Sequence, residues 1–183
     1  MQGNEWREAL LKLVKEKAVR GGEHKLSSGK TSPYYIDGKQ VTLDPQGIFL
    51  LGKVILSMLH GLQVDAVGGP TLGADPIAAA VALLSSQTGV PLKAFIVRKE
   101  EKRHGTQKRI EGPELKAGDR VVVVEDVITS GKTVIAAIHE LEKLNCRIVK
   151  VICLVDREEG AAQLLAPYPF SPIFTRSELG LVS

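Results

Sequence analysis

The sequence predicts an α/β fold with a mainly parallel central sheet, helices on both of its faces and a small irregular N-terminal cap. Short runs rich in valine and isoleucine alternate along the chain with stretches of helical periodicity. The runs are continuously apolar, which is typical of parallel strands that are covered on both faces. Polar and glycine-rich segments follow several runs, and ligands bind at such strand ends in open α/β sheets.

The N-terminal part of the chain predicts two helices joined by a passage of short strands and turns. Residues 5–18 carry apolar side chains at helical spacing behind Asn4, a residue type that commonly caps helices. Residues 24–43 have the glycine, serine and proline content of strands and turns. Asp44 followed by Pro45 predicts the start of the second helix, because aspartate caps a helix and proline fits its first turn.

The rest of the chain alternates between strands and helices. Apolar runs predict strands over residues 64–69, 91–99, 120–126, 147–156 and 172–175. Helical periodicity predicts helices over residues 76–87, 131–144 and 160–166. A long charged connection, residues 99–118, lies between two of the strands. We expect a single domain over residues 1–183, in which residues 1–43 form the N-terminal cap.

The composition excludes several classes of protein. The chain of 183 residues is 44% hydrophobic and 25% charged, and its formal net charge of +3 is too small to indicate nucleic-acid binding. Cys146 and Cys153 lack the spacing of a zinc site or a disulfide framework. No apolar run approaches the length of a membrane span, and the N-terminus lacks an apolar leader. We therefore expect a cytoplasmic protein that binds neither nucleic acid nor a membrane.

The most informative segment is residues 121–133, VVVVEDVITSGKT. It ends like a nucleotide-binding P-loop, but that loop requires a glycine five positions before Gly131, where this chain has Asp126. A second Ser-Gly-Lys-Thr, residues 28–31, fails in the same way because His24 occupies the glycine position. Neither segment therefore supports an ATPase.

The same segment has the features of a site for a phosphorylated sugar. The small residues of Thr129–Thr133 leave backbone N–H groups free at a predicted helix N-terminus, which favours a phosphate. Glu125 and Asp126 would repel a ligand made only of phosphate, but ionised carboxylates accept hydrogen bonds from sugar hydroxyls. A ribose 5-phosphate satisfies both requirements. A buried strand that ends in a charged turn is the alternative interpretation.

VVVVEDVITSGKT resembles the phosphoribosyl pyrophosphate (PRPP) signature of type I phosphoribosyltransferases, in which two acids, two aliphatic residues, a threonine and a glycine follow an apolar strand. The resemblance implies the type I phosphoribosyltransferase fold. It also implies that PRPP contacts the following residues: Glu125, Asp126, Val127, Ile128, Thr129, Ser130, Gly131, Lys132 and Thr133.

The charged connection contains the pattern Arg-Lys-x-x-Lys-x-His-Gly, which is similar to the catalytic loop of orotate phosphoribosyltransferases. This resemblance implies diphosphate contacts from four residues, Arg98, Lys99, Lys102 and His104. It makes Lys102, His104 and Asp126 the catalytic residues, with Lys102 as the main cation that stabilises the leaving diphosphate. It also implies a homodimer in which this loop reaches the neighbouring subunit's active site. An exposed loop explains the remaining cations equally well: Arg103, Lys108 and Arg109.

Two further segments resemble the parts of that family that bind orotate. KLSSGKTSPYYID, at residues 25–37, is similar to the N-terminal segment near the base, where Tyr34 and Tyr35 would face the flat ring. Core aromatics of a strand are the alternative for both tyrosines. In VDREEG, Arg157 matches the arginine that holds the orotate carboxylate, a group that suits a guanidinium fork. A surface ion pair with Glu158 or Glu159 is the alternative for Arg157, and Thr129 is also assigned to orotate.

The segment GGPTLGADPIAAAVA resembles the family's pyrophosphate-binding loop, in which Gly68, Gly69 and Gly73 would permit close approach of the ligand. Two positions depart from the pattern of some members, which have lysines where this chain has Ser28 and Gly73. Contacts made by those lysines are therefore not expected here.

The implied reaction joins orotate and PRPP to give orotidine 5-monophosphate and pyrophosphate, a step of pyrimidine biosynthesis. Positioning and charge stabilisation would carry the catalysis. We expect Mg²⁺ as cofactor, held mainly by PRPP and water without direct protein ligands, because this ion keeps several of its waters. Asp126 would approach the ion indirectly.

Two alternatives remain open from the sequence. A phosphoribosyltransferase for a purine base shares the acidic loop, but it should lack the SSGKTSPYYID segment and Arg157. A regulator that senses PRPP and binds nucleic acid should carry an added DNA-binding segment or an extended basic face, and this chain has neither beyond the loop.

Overall fold

The computed structural model describes residues 2–25, 31–100 and 109–181. Its helices are α1 (Gln2–Leu13), α2 (Lys39–Thr42), α3 (Pro45–Met58), α4 (Ala74–Ser85), α5 (Lys132–Lys143) and α6 (Ala161–Leu164). Its strands are β1 (Val19–Lys25), β2 (Thr31–Ile36), β3 (Ala66–Pro70), β4 (Lys93–Val97), β5 (Ile110–Glu111), β6 (Arg120–Ile128), β7 (Arg147–Asp156) and β8 (Phe170–Thr175).

The central sheet has six strands in the order β5-β4-β3-β6-β7-β8. Strands β3, β4, β6, β7 and β8 pair in parallel, and the short β5 pairs antiparallel to β4. The carboxyl ends of the five parallel strands therefore meet at one edge of the sheet, which is the edge where ligands bind in folds of this class.

Helices cover both faces of the sheet, as the continuous valine runs predict. On β6, Val122 and Val124 pack into a core shared with α1, α3 and α4, whereas Val121 and Val123 pack into a second core with α5 and α6. All four valines are at most 1% exposed. This alternation confirms the predicted α/β class with a mainly parallel, doubly covered sheet.

The N-terminal cap is more regular than predicted. Helix α1 begins at Gln2 and continues as a π-helical turn over Val14–Ala18, so the prediction that Asn4 caps it is wrong. The capping preference of asparagine is worth only about 1 kcal/mol, and the apolar face of the helix outweighs it. Strands β1 and β2 then pair as an antiparallel two-stranded sheet.

The predicted start of the second long helix is confirmed. The Asp44 carboxylate accepts hydrogen bonds from the backbone N–H groups of Gln46 and Gly47, at 3.1 Å and 2.8 Å, and Pro45 is the first residue of α3. The short helix α2 precedes this cap and was not predicted, because its four residues are too few to show helical periodicity.

Two differences in the sheet bear on the site. Strand β6 runs to Ile128, past the predicted end at residue 126, so Glu125 and Asp126 lie within the strand. Val127 and Ile128 extend it because they pair with the end of β7. Strand β5 lies inside the predicted charged connection 99–118, where two residues give no detectable pattern.

Candidate active site

A small pocket lies between the end of β6 and the N-terminus of α5. It has a volume of about 100 Å³ and is lined by Glu125 and residues 127–134. Sites that enclose a whole drug-sized ligand are larger, at roughly 300–1,000 Å³. The pocket therefore fits a fragment such as a phosphate with part of a sugar, and its lining contains the Thr129–Thr133 turn that the sequence assigned to the 5-phosphate.

The turn that opens α5 explains why this pocket suits an anion. Gly131 precedes the helix with a φ of +81°, a conformation that glycine adopts without steric cost. The first N–H groups of a helix have no partner within it, and the helix dipole adds partial positive charge there. Thr129, Lys132 and Thr133 are exposed around this turn, so their polar groups can reach the same ligand.

The acid pair lies at the edge of the pocket and is almost buried. Glu125 is 9% exposed and Asp126 is 8% exposed. The Glu125 carboxyl accepts a hydrogen bond from the Asp126 backbone N–H at 3.1 Å, and the Asp126 carboxylate accepts one from the Val127 N–H at 2.7 Å. These bonds fix both side chains beside the turn Thr129–Thr133, the phosphate turn.

Burial and the neighbouring Asp126 raise the pKa of Glu125 to about 9. Both acids were predicted from the sequence to act as ionised acceptors, whereas the raised pKa favours the protonated form of Glu125 near neutral pH. A protonated carboxyl donates one hydrogen bond as well as accepting others. The acid pair can therefore serve sugar hydroxyls both as donor and as acceptor.

The raised pKa of Glu125 predicts a dependence of stability on pH. The folded protein keeps the proton between the ordinary pKa of 4.5 and the raised value of about 9, whereas the unfolded chain releases it. The free energy of unfolding therefore falls as pH rises through this window, by up to about 1.4 kcal/mol per pH unit from this group. Glu125→Gln should flatten the pH dependence of urea unfolding between about pH 5.5 and 8. The same change at the exposed Glu8 should not, and equal slopes for Glu125→Gln and the unmodified protein would contradict the account.

Gly73 lies directly against the acid pair. A Cβ at this position would lie 1.9 Å from Glu125 Oε1 and 2.4 Å from Asp126 Oδ1. No side chain fits at residue 73 while the acids keep these positions, which gives a steric reason for the absence of a lysine there. At Gly68 and Gly69 packing within the sheet already requires glycine, because a Cβ would overlap the carbonyl oxygens of Phe95 and Val124.

The neighbouring strand end brings together two of the residues that the sequence assigned to orotate. Arg157 follows β7, and its N–H donates to the Ile128 carbonyl of β6 at 2.9 Å. Its guanidinium lies over the Tyr34 ring, 5.4 Å from the ring centroid. Both side chains are buried, at 5% exposure for each residue. Glu159 accepts hydrogen bonds from Arg157 at 2.9 Å, so the ion pair given as an alternative is present, but the arginine is not on the surface.

Tyr35 is not part of this group. Strand β2 alternates in burial, so Tyr34 faces the core and Tyr35, at 39% exposure, faces outward. The Tyr35 ring lies 5.7 Å from the His24 ring across the two-stranded sheet. The structure thus separates two neighbouring residues that the sequence argument placed together on the base.

Arg176, which follows β8 at the same edge of the sheet, was not predicted from the sequence. Its hydrogen bond to Tyr34 raises the pKa of Arg176, and the nearby Glu158 adds to this effect. Glu158 in turn accepts hydrogen bonds from the backbone N–H and the hydroxyl of Ser177, at 2.9 Å and 2.6 Å. Its position directly after a predicted strand was the signal that could have identified Arg176.

The predicted catalytic loop is described only at its ends. Arg98 pairs with Glu111 at 3.4 Å, across the two strands that carry the loop. Arg109 pairs with Glu140 of α5 at 2.9 Å and donates a hydrogen bond to the Lys99 carbonyl. These contacts connect the two ends of the loop to each other and to α5. Lys102 and His104 lie outside the described residues, as does Ser28.

Among residues 2–25, 31–100 and 109–181, no group of three or more histidine, cysteine, aspartate or glutamate side chains is arranged to hold a metal ion. Within the same ranges, no helix has the length and apolar character that crossing a membrane requires.

Comparison with known proteins identifies close relatives. The model of the phosphoribosyl transferase domain family matches residues 46–171. The chain is 45% identical to the orotate phosphoribosyltransferase of Nostoc sp. over 94% of its length and 84% of that protein. It is 42% identical to the orotate phosphoribosyltransferase of Aquifex aeolicus, covering 94% of this chain and 97% of that protein.

Solved structures agree with these sequence relatives. The crystal structure of Mycobacterium tuberculosis orotate phosphoribosyltransferase in complex with PRPP matches with a TM-score of 0.80 and 33% identity, over 96% of this chain and 99% of that chain. The adenine phosphoribosyltransferase of Thermoanaerobacter pseudethanolicus matches with a TM-score of 0.66 but only 18% identity, which indicates a shared fold alone.

Proposed function

This chain belongs to the orotate phosphoribosyltransferases, and from that premise we propose that it transfers the phosphoribosyl group of PRPP to orotate in a reaction that requires Mg²⁺. One structural observation carries the assignment of the site. The acid pair lies near the end of β6, and the phosphate turn follows that strand. The Tyr34–Arg157 pair lies at the end of the adjacent β7. A phosphoribosyl group and an anionic base would therefore bind side by side.

The pocket at the start of α5 supports binding of the ribose 5-phosphate. Its N–H groups and the hydroxyls of Thr129 and Thr133 surround a volume that suits one phosphate. The adjacent Glu125 and Asp126 would bind the ribose hydroxyls. Because the raised pKa of Glu125 favours its protonated form and Asp126 accepts hydrogen bonds, the two carboxyl groups can each take a different role toward a pair of hydroxyls.

Arg157 supports recognition of a base that carries a carboxylate. Its guanidinium is held in place by Glu159 on one edge and by Tyr34 on one face, which leaves the remaining N–H groups for a second anion. The guanidinium is almost fully buried, so water competes weakly with such an anion. Neutral purine bases offer no carboxylate to this group.

The residues present fit a magnesium ion that PRPP brings with it. Mg²⁺ keeps several waters and binds through one or two carboxylates together with substrate phosphates, and the acid pair offers two carboxyl groups. When bound, the ion would offset charge on the diphosphate. Asp126 would approach it through water.

Charge on the departing diphosphate is the main demand of the reaction. The bond between the anomeric carbon and the diphosphate oxygen breaks as a ring nitrogen of orotate, which has given up its proton to water, forms the new bond to that carbon. We propose that Lys102 and His104, assisted by Arg98 and Lys99, stabilise the charge of the diphosphate. The ion pairs Arg98–Glu111 and Arg109–Glu140 hold the two ends of this loop.

We also propose a homodimer in which the loop of one subunit completes the site of the other. Within the described residues, the site of a single chain has the phosphate turn, the acid pair and the Tyr34–Arg157 pair, and the ends of the loop follow β4 and precede β5.

A comparison of bases tests the choice of orotate. With PRPP and Mg²⁺ present, we expect product formation with orotate and none with adenine or hypoxanthine. Chromatography of the nucleotide products with each base is the direct measurement. Turnover of a purine without turnover of orotate would contradict the proposal, and binding of PRPP without turnover of any base would favour a regulator.

A further inference from the structure

Lys39 lies beside the acid pair, although no sequence pattern assigned it a function. It is the first residue of α2, and its ammonium nitrogen lies 2.9 Å from Asp37 Oδ1 and 3.8 Å from Asp126 Oδ2. Asp37 also accepts a hydrogen bond from the Lys39 backbone N–H at 3.3 Å. The lysine therefore bridges the turn after β2 and the acid pair on β6.

The backbone next to Lys39 is packed directly on Asp126. A Cβ at Gly38 would lie 2.8 Å from Asp126 Cβ and 2.9 Å from its Oδ2. The packing of Gly38 against Asp126 therefore places the neighbouring Lys39 beside the acid pair. Its side chain is 46% exposed, so the ammonium can also face a ligand in the solvent-filled site.

A cation is needed at this place for an electrostatic reason. PRPP is a polyanion, and the Asp126 carboxylate beside it opposes its binding unless a positive charge compensates. No side chain can supply that charge from residue 73, where a Cβ would already collide with both acids. Among the described residues, Lys39 is the cation that forms an ion pair with either acid.

We propose that Lys39 is a positioning residue for PRPP: it orients the Asp126 carboxylate toward the ribose hydroxyls and offsets the charge of that carboxylate. This inference rests on the proposed PRPP site.

The test is direct binding of PRPP, measured by calorimetry with Mg²⁺ present. Lys39→Met should raise the Kd for PRPP about tenfold. The effect is no larger because the ammonium is half exposed and solvent screens its charge. The KM for PRPP should rise by a similar factor while the KM for orotate stays unchanged. Lys39→Arg keeps the charge and should restore most of the affinity. A role in stability alone would not produce this split between substrates.

Lys93→Met is the matched control, because Lys93 pairs with Asp119 at 3.1 Å at the opposite edge of the sheet. It should bind PRPP like the unmodified protein. Unchanged PRPP affinity in Lys39→Met, or an equal loss in Lys93→Met, would overturn the inference. If the unmodified protein itself fails to bind PRPP, the proposed function fails instead, so the two failures are distinguishable.

Discussion

Replacing Lys102 with alanine is expected to lower kcat about 10²–10³-fold while PRPP binding is largely retained, because one lost charge donor to a transition state has this cost. The lysine lies in the loop that runs between the anchors Arg98 and Arg109, outside the described residues. Steady-state kinetics and calorimetric binding of PRPP measure the two effects separately. Lys108→Ala changes a cation of the same loop that has no assigned contact and should have a small effect. Unchanged turnover in Lys102→Ala would remove Lys102 from its role.

Replacing Arg157 with alanine is expected to raise the KM for orotate about a hundredfold, because a buried charge pair with the substrate carboxylate is lost. The affinity for PRPP should change little, since Arg157 does not line the phosphate pocket. Arg157→Lys should rescue poorly, because an ammonium cannot reproduce the planar fork. Initial rates over a range of orotate concentrations give the KM.

A change at Arg157 also removes the partner of Glu159 and the cation over the Tyr34 ring. Glu159→Gln keeps the arginine and removes only the charge of its partner, so it controls for a disturbed turn. Thermal unfolding of both variants checks that they remain folded. If Arg157→Ala binds orotate as well as the unmodified protein does, the assigned base site is wrong.

The variants Lys102→Ala and Arg157→Ala together test the shared loop. Suppose that the loop of one subunit serves the other subunit's site. A mixed dimer of Lys102→Ala and Arg157→Ala then contains one site in which Arg157 is intact and the loop from the other subunit carries Lys102. Random mixing should then recover about a quarter of the unmodified activity, since half the dimers are mixed and each has one working site. No recovery after unfolding and refolding the variants together would place the loop in its own subunit's site.

The sheet and the phosphate turn could be predicted from the sequence because their signals are local. The valine run of β6 and the cap formed by Asp44 each appear within a few consecutive residues, and the structure confirms both. The short β5 and the four residues of α2 could not be predicted, because neither is long enough to show a period. The prediction that Asn4 caps the first helix was wrong because a capping preference is weak beside the packing of an apolar face.

The site depends on contacts that are distant in sequence, and there the prediction was incomplete. The protonation of Glu125 follows from its burial beside Asp126, which no spacing reveals. Tyr34 meets Arg157 only because β2 folds over the end of β7. Lys39 reaches Asp126 through a turn packed against β6, so its place at the acid pair is a property of the fold.

The most direct test of the account follows the ultraviolet absorbance of orotate in the presence of the protein. We predict that the absorbance falls after PRPP is added, only when Mg²⁺ is present, and that one pyrophosphate forms for each orotate consumed. A chelator added beforehand should prevent the change. Stable orotate absorbance with PRPP and Mg²⁺ both present, in a protein that calorimetry finds to bind PRPP, would contradict the assignment of orotate as the substrate.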